Sequence, residues 1–198
     1  ISTVAVPGGD GVRVTRMHDV EEDVRRTHLL QHQANTDALT GLVNRRDALT
    51  RLEAMAQERR TGSHLGLLLL DIDLFKDIND TFGHASGDAV LQTIATRVAG
   101  QVRETDVTAR LGGDELLVIL NGVESADAAA MIAHHIREAC SQPIVLADGR
   151  TVSTSVSVGV ALSLDGESPS AVLARADAAM YEAKRAGRDG IATSHAGD

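Results

Sequence analysis

Thr108-Ala109-Arg110-Leu111-Gly112-Gly113-Asp114-Glu115-Leu116-Leu117-Val118-Ile119-Leu120 is the stretch whose reading decides the fold. Two strand-like runs, Thr108–Leu111 and Leu116–Leu120, flank a glycine pair, which is hairpin chemistry. Upstream, Leu65–Leu70 is an unbroken apolar run of strand length, expected to be buried on both faces. Arg45–Arg60 puts Leu49, Leu52, Met55 and Ala56 on one helical face. A glycine-marked break at Gly83–Gly87 precedes a helix to about Val102, and Ser125–Cys140 is an alanine-rich helix. Ile144–Leu146 and Arg150–Val152 flank Asp148-Gly149 as a second hairpin. Ser153–Leu164 reads as a strand, and Ser170–Ala186 as a helix stopped by Gly187. Strands both alternate with helices and pair as hairpins, so the expected class is α+β, helices packed on a mixed or antiparallel sheet.

The 198 residues suggest one domain, or one plus a fragment. Acidic residues outnumber basic ones, 28 to 19, which argues against a nonspecific duplex-DNA binder and leaves room for nucleotide binding. The only aromatics are Phe75, Phe82 and Tyr181, too few for a single-strand stacking platform, so no nucleic-acid partner is expected. Cys140 stands alone, pointing to a reducing compartment and a cytoplasmic setting. Leu67–Leu70 is far short of a membrane span, so no direct membrane contact is expected. Ile1 at the first position reads as a piece cut from a longer protein. Ile1–Val6 and Gly11–Met17 read as two strands about a Pro-Gly turn, a hairpin too small to stand alone. Asp19 can cap a following helix on which Val20, Val24, Thr27, Gln31 and Ala34 form a weak heptad stripe.

Asp71-Ile72-Asp73 closes the most buried strand. Two anions beside an apolar core are costly without positive compensation. Asp71 and Asp73 share a face, so both can approach one cation; Asp73 can instead cap the next helix. Gly112-Gly113-Asp114-Glu115 offers bare backbone to a ligand and then two more carboxylates. Mg²⁺ takes one or two carboxylates plus substrate phosphates, and such sites run in-line phosphoryl transfer. Lys76, Lys184 and Arg188 are candidate phosphate contacts; the last two also simply complement a helix C-terminus. No Gly-x-x-x-x-Gly-Lys-Ser/Thr loop occurs, which excludes a P-loop NTPase.

Five blocks together resemble the GGDEF family, the diguanylate cyclases, across residues 37–193. They are Asp37–Arg46 (DALTGLVNRR), Asp71–Asp80 (DIDLFKDIND) with Gly83-His84 and Gly87-Asp88, Arg110–Leu116 (RLGGDEL), Ser157–Ala161 (SVGVA), and Ala178–Arg188 (AAMYEAKRAGR). The signature's usual fifth residue, Phe, is replaced by Leu116, expected to face inward as a packing group.

The resemblance implies a palm-like, ferredoxin-related fold: a central, mostly antiparallel sheet surrounded by helices. It implies condensation of two GTP into cyclic di-GMP and two pyrophosphates, by Mg²⁺- (or Mn²⁺-) dependent attack of a 3′-hydroxyl on an α-phosphate across a homodimer. Asp71, Asp114 and Glu115 would be catalytic, and these with the Ile72 carbonyl would hold the metal. Asn79 and Asp88 would read guanine, and Lys76, Lys184 and Arg188 would bind phosphates. Gly112 and Gly113 would border GTP, with Phe75, Phe82 and Leu74 as pocket wall and core. His84 is expected to make a structural hydrogen bond. Arg103 and Asp106 stand where the family binds inhibitory cyclic di-GMP, and relatives add an Arg from the helix that here carries His134, His135 and Arg137. Residues 1–18 resemble the end of a PAS-like sensory domain, 19–36 a signalling helix, and 37–198 the cyclase domain. Two competing readings are an idle nucleotide-sensing domain and a different nucleotidyl cyclase or polymerase-like palm enzyme.

Overall fold

The computed structural model describes residues 2–8, 11–17, 35–58 and 63–194. The chain divides into two units, Ile1–Asn35 and Thr36–Asp198. In the first, β1 (Ser2–Gly8) and β2 (Gly11–Met17) pair antiparallel, from Ser2 opposite Met17 to Gly8 opposite Gly11. Nearly all of the signalling helix expected over 19–36 lies outside the described residues.

The second unit runs β3 (Val43–Asn44), α1 (Arg45–Glu58), β4 (His64–Ile72), α2 (Phe75–Phe82), α3 (His84–Ala99), β5 (Val107–Gly112), β6 (Glu115–Val123) and α4 (Ala126–Cys140). It continues through the small hairpin β7 (Ile144–Val145) and β8 (Thr151–Val152), then β9 (Val156–Leu162), α5 (Pro169–Arg185) and β10 (Ile191–Ser194). Six strands form one sheet in the order β10-β9-β4-β6-β5-β3. The three inner pairings are antiparallel and the two outermost are parallel. The architecture is α+β, with helices on both faces of a central sheet.

Strand parity sorts the core. Leu68, Leu70 and Ile72 of β4 face one side with Leu116, Val118 and Leu120 of β6, against α3 and α4. Leu65, Leu67 and Leu69 face the other with Leu117 and Ile119, against α1 and α5. β4 is the central strand, so every residue from Leu65 to Ile72 is buried, as its continuous apolar run requires. Leu116 is fully buried on the α3–α4 side, where leucine fills the place of the family's usual phenylalanine.

Several elements depart from the sequence reading. The segment Phe75–Phe82, given no helix of its own, is helical. Leu74 begins it in the left-handed region (φ 56°), and no side chain caps it. Asp73 therefore does not cap this helix. α3 ends at Ala99, short of Val102. The strand expected over 153–164 pairs only from Val156 to Leu162, because Thr154 and Ser155 are drawn into bonds with Asp73. Edge strands β3 and β10 are too short to show an alternation.

Candidate active site

Asp71 is next to last in β4, directly opposite Glu115 on β6 and Ser157 on β9. Parity turns its carboxylate toward the α1–α5 face. There the Lys184 ammonium, in the last turn of α5, lies 2.7 Å from Asp71 Oδ2. Burial raises the Asp71 pKa; the Lys184 hydrogen bond and charge oppose this, and the Asp114 and Asp73 charges add to it. The corner thus favours added positive charge.

Asp114 and Glu115 leave a turn whose Gly112 (φ 148°) and Gly113 (φ 53°) take backbone angles that side chains disfavour. Two anchors hold that turn. Ile72 N–H donates to the Asp114 carbonyl (3.3 Å), tying the hairpin to the end of β4. Arg110 donates to the Gly113 carbonyl through Nε (3.1 Å) and Nη2 (2.8 Å), while its Nη1 bridges both Asp37 oxygens at 3.1 and 3.2 Å. Burial works against the Asp37 charge, but bonds from Thr40 and Arg110 hold its pKa below the ordinary value. Arg110 and Asp37 were quoted as motif residues without a role; an arginine entering a glycine turn, with an unassigned aspartate elsewhere, was the available signal.

Among the described residues no three His, Cys, Asp or Glu side chains converge into a closed metal cage. Mg²⁺ takes few protein carboxylates and completes its shell with phosphates and water. Mutually repelling Asp71 and Asp114, beside the end of β4 that carries the Ile72 carbonyl, fit such an ion.

The base-reading candidates lie on the other side of the strand end, on helices packed against the α3–α4 face. Gly87, in the first turn of α3, is buried against Asn79 of α2, and a Cβ there would collide with the Asn79 amide. Asp88 follows, exposed. A glycine to which the sequence reading gave no role thus packs on Asn79, one residue before Asp88. Phe75 and Phe82 pack partly buried on the core, Leu74 is exposed, and Lys76 is exposed with no ion-pair partner among the described residues. His84 opens α3 exposed and makes no side-chain hydrogen bond among the described residues, contrary to the structural role expected of it. A 540 Å³ cavity lies along another face of α2, walled by Asp77, Ile78, Thr81 and Phe82 and by Ser153 and Thr154.

α5 is set by contact. A Cβ on Gly159 of β9 would strike the Ala176 carbonyl and the Met180 amide of that helix. Only glycine lets α5 lie this close, and the seam is within two turns of Lys184. Beyond α5, Arg188 (φ 62°) and Asp189 (φ 44°) are consecutive left-handed residues, and the Arg188 side chain is exposed without an ion-pair partner among the described residues.

At a separate corner, Asp106 Oδ2 accepts from the Arg103 amide (3.0 Å) and Oδ1 from the Asn121 amide (2.9 Å). Both residues line a 230 Å³ pocket against the β6 end and α4 residues Ala128 and Ile132. Arg137 does not reach it: the guanidinium ion-pairs with Asp189 at 2.8 Å. Cys140 is a core residue whose thiol burial pushes up to about 12, a packing role.

The sheet end carries carboxylates on one face, a glycine-spaced amide and carboxylate on the other, and a glycine turn beside them. The family model described as "Diguanylate cyclase, GGDEF domain" matches residues 34–190, and the chain belongs to this family. It is 48% identical over 163 residues to diguanylate cyclase TpbB of Pseudomonas aeruginosa, covering 80% of this chain and 37% of that protein. It is 43% identical over 162 residues to response regulator PleD of Caulobacter vibrioides, covering 80% and 36%. The chain thus spans little more than a third of these relatives' length. Among solved structures, the GGDEF domain of P. aeruginosa TpbB superposes with TM-score 0.75 at 44% identity, covering 79% of this chain and 99% of that one. The coiled coil and GGDEF domain of Caulobacter crescentus DgcB, in complex with c-di-GMP, superposes at 0.83 with 32% identity, covering 88% and 93%.

Proposed function

We propose that this chain is an active diguanylate cyclase, condensing two GTP into cyclic di-GMP and two pyrophosphates. The observation that carries the reading is the Asp71–Lys184 ion pair at a strand end that stands in register with Glu115, beside an intact Gly112-Gly113-Asp114-Glu115 turn. Asp71, the Ile72 carbonyl and Asp114, with Glu115 assisting, would hold Mg²⁺ (or Mn²⁺). When bound, the ion offsets negative charge on the α-phosphate and makes the 3′-hydroxyl more acidic.

Asn79 and Asp88 bind the guanine edge, where a carboxylate accepts from N1–H and the exocyclic amine; adenine offers no such donor pair. Gly112 and Gly113 let the nucleotide lie against bare backbone. Lys76 and Arg188 contact phosphate oxygens, and Lys184 turns from Asp71 to do the same. O3′ of one GTP bonds to the α-phosphorus of the other, the bond to pyrophosphate breaks, and the hydroxyl proton is lost to solvent. One chain supplies half of this arrangement, so two chains meet with their sites face to face. Arg103 and Asp106 would bind the product; the relative solved with c-di-GMP supports that class of ligand. That relative's structure also comprises a coiled coil, which supports residues 19–36 as a linker helix. No helix among the described residues is long and apolar enough to cross a membrane.

The test is incubation with GTP and Mg²⁺ followed by chromatography. Cyclic di-GMP is expected; unchanged GTP at every protein concentration, or a different cyclic product, overturns the reading. Arg103→Ala should leave initial rates intact and weaken product inhibition about ten- to hundredfold, read from late-time curvature.

A further inference from the structure

Asp73 was expected either to share a cation with Asp71 or to cap the following helix, and it caps no helix. Its carboxylate is buried, and no cation touches it among the described residues. Both oxygens are taken by neutral donors. Oδ1 accepts from the Ser157 hydroxyl at 2.7 Å. Oδ2 accepts from the Ser155 hydroxyl at 2.5 Å and from the Asp189 amide at 2.9 Å. The main chain is held as well: Asp73 N–H donates to the Ser155 carbonyl (2.9 Å), and the Asp73 carbonyl accepts from the Thr154 hydroxyl (3.1 Å). Three of its roughly four acceptor sites are thus held by the fold.

The Asp189 amide belongs to the turn after α5. Gly187 (φ 128°), Arg188 (φ 62°) and Asp189 (φ 44°) run consecutively at positive φ, and two of them are not glycine. Such a run persists only where its surroundings over-determine it. Here Arg188 N–H donates to the Ala183 carbonyl (3.2 Å), the Asp189 carboxylate meets Arg137 (2.8 Å), and the Gly190 carbonyl accepts from Val158 N–H (2.9 Å). The Asp73 bond is the one that reaches this turn from β4, the strand that carries Asp71.

We propose that Asp73 is a positioning residue: it locks the Arg188–Asp189 turn to the end of β4 and so fixes the spacing between the metal-binding acids and the phosphate-binding cations. This rests on the reading of Lys184 and Arg188 as phosphate contacts. Asp73 is a long way in sequence from Ser155, Ser157 and Asp189, and all three bonds meet on its one side chain.

The test uses Asp73→Asn, which keeps the shape but turns one oxygen into a donor facing donors, and Ser155→Ala, which removes one arm and spares the buried carboxylate. Hydrogen exchange of the peptide carrying the Asp189 amide should quicken about tenfold or more in Asp73→Asn, with the β4 core still protected. The KM for GTP should rise about tenfold while kcat falls far less, and the Mg²⁺ midpoint should hold. Ser155→Ala should move the same readouts in the same direction by less. In an Arg188→Ala background, Asp73→Asn should add little further loss. Unchanged exchange at Asp189 overturns the lock. Faster exchange with unchanged KM, or losses that simply add to those of Arg188→Ala, overturns the link to phosphate binding. A raised Mg²⁺ midpoint makes Asp73 a metal ligand instead. The exchange measurement needs no turnover, so a parent protein that makes no cyclic di-GMP defeats the proposed activity and not the lock.

Discussion

Asp71 and Asp73 stand two residues apart at one strand end, at 8% and 5% exposure, yet their surroundings are opposites. Around Asp73 the hydrogen-bond partners are three neutral donors, two hydroxyls and an amide. Around Asp71 there are other acids and one lysine whose flexible stem can leave. Burial does not separate a structural carboxylate from a reactive one; saturation does. A carboxylate fully bonded to the fold holds the chain, and one held by a single movable cation is available for exchange.

The largest expected effect breaks the Asp71 side. Asp71→Asn should lower product formation at least about a thousandfold if, as proposed, its charge holds the metal against the α-phosphate. Thermal stability should hold or rise, since a costly buried charge is removed. Turnover within tenfold of the parent would place the metal elsewhere. Second is the helix that brings Lys184 to that corner. Gly159→Ala puts a methyl into the Ala176 and Met180 backbone, which costs about 1–3 kcal/mol by overpacking. Denaturant unfolding should show the loss, and turnover should fall with it because α5 must retreat. Parental stability and activity together would mean that the seam has slack.

How much of this contrast was legible in the sequence follows from where the partners lie. The unbroken run Leu65–Leu70 announced a central strand, and Gly112-Gly113 announced the hairpin beside it. Period-two geometry alone put Asp71 and Asp73 on one face. What separates them comes from Ser155, Ser157, Lys184 and Asp189, all more than 80 residues downstream, and no local pattern reports a bond of that reach. The helix Phe75–Phe82 was missed because it opens on an exposed left-handed leucine and lacks a capping side chain. Gly87 and Gly159 were visible as motif letters; their reason, a neighbour too close for a Cβ, exists only in three dimensions.

Gly87→Ala sharpens the contrast on the base-reading side. Alanine is worth up to about 1 kcal/mol more than glycine inside a helix, so stability should not suffer from propensity. The Asn79 amide must nevertheless move, and the KM for GTP should rise about tenfold with little change in melting temperature. An unchanged KM would remove Asn79 from base reading.

The smallest effect tests a charged latch far from both acids. Arg175 grips Glu167 through Nε (2.8 Å) and Nη2 (2.7 Å) and donates to the Leu162 carbonyl (2.6 Å), pinning the start of α5 to the end of β9. The Arg175 hydrogen bonds outweigh burial and hold Glu167 below its ordinary 4.5. Its contribution is therefore present above about pH 4.5 and is lost as pH falls through the lowered folded-state value. Glu167→Gln should cost about 1 kcal/mol near neutrality and leave GTP turnover alone. The gap between variant and parent should close in acid. A gap that persists however far the pH falls would mean that the ion pair is not its source.

The Lys184–Asp71 ion pair has a consequence for the order in which things arrive. Lysine here is a resident counterion, offsetting part of the corner's negative charge. A divalent ion reaching this corner alone must evict it and leave an ammonium stranded near a second positive charge. An ion arriving with a triphosphate meets no such penalty, because the displaced ammonium has new oxygens to receive it. Metal and nucleotide should therefore bind as a heterotropic pair, each tightening the other, and the lysine's change of partner is the coupling.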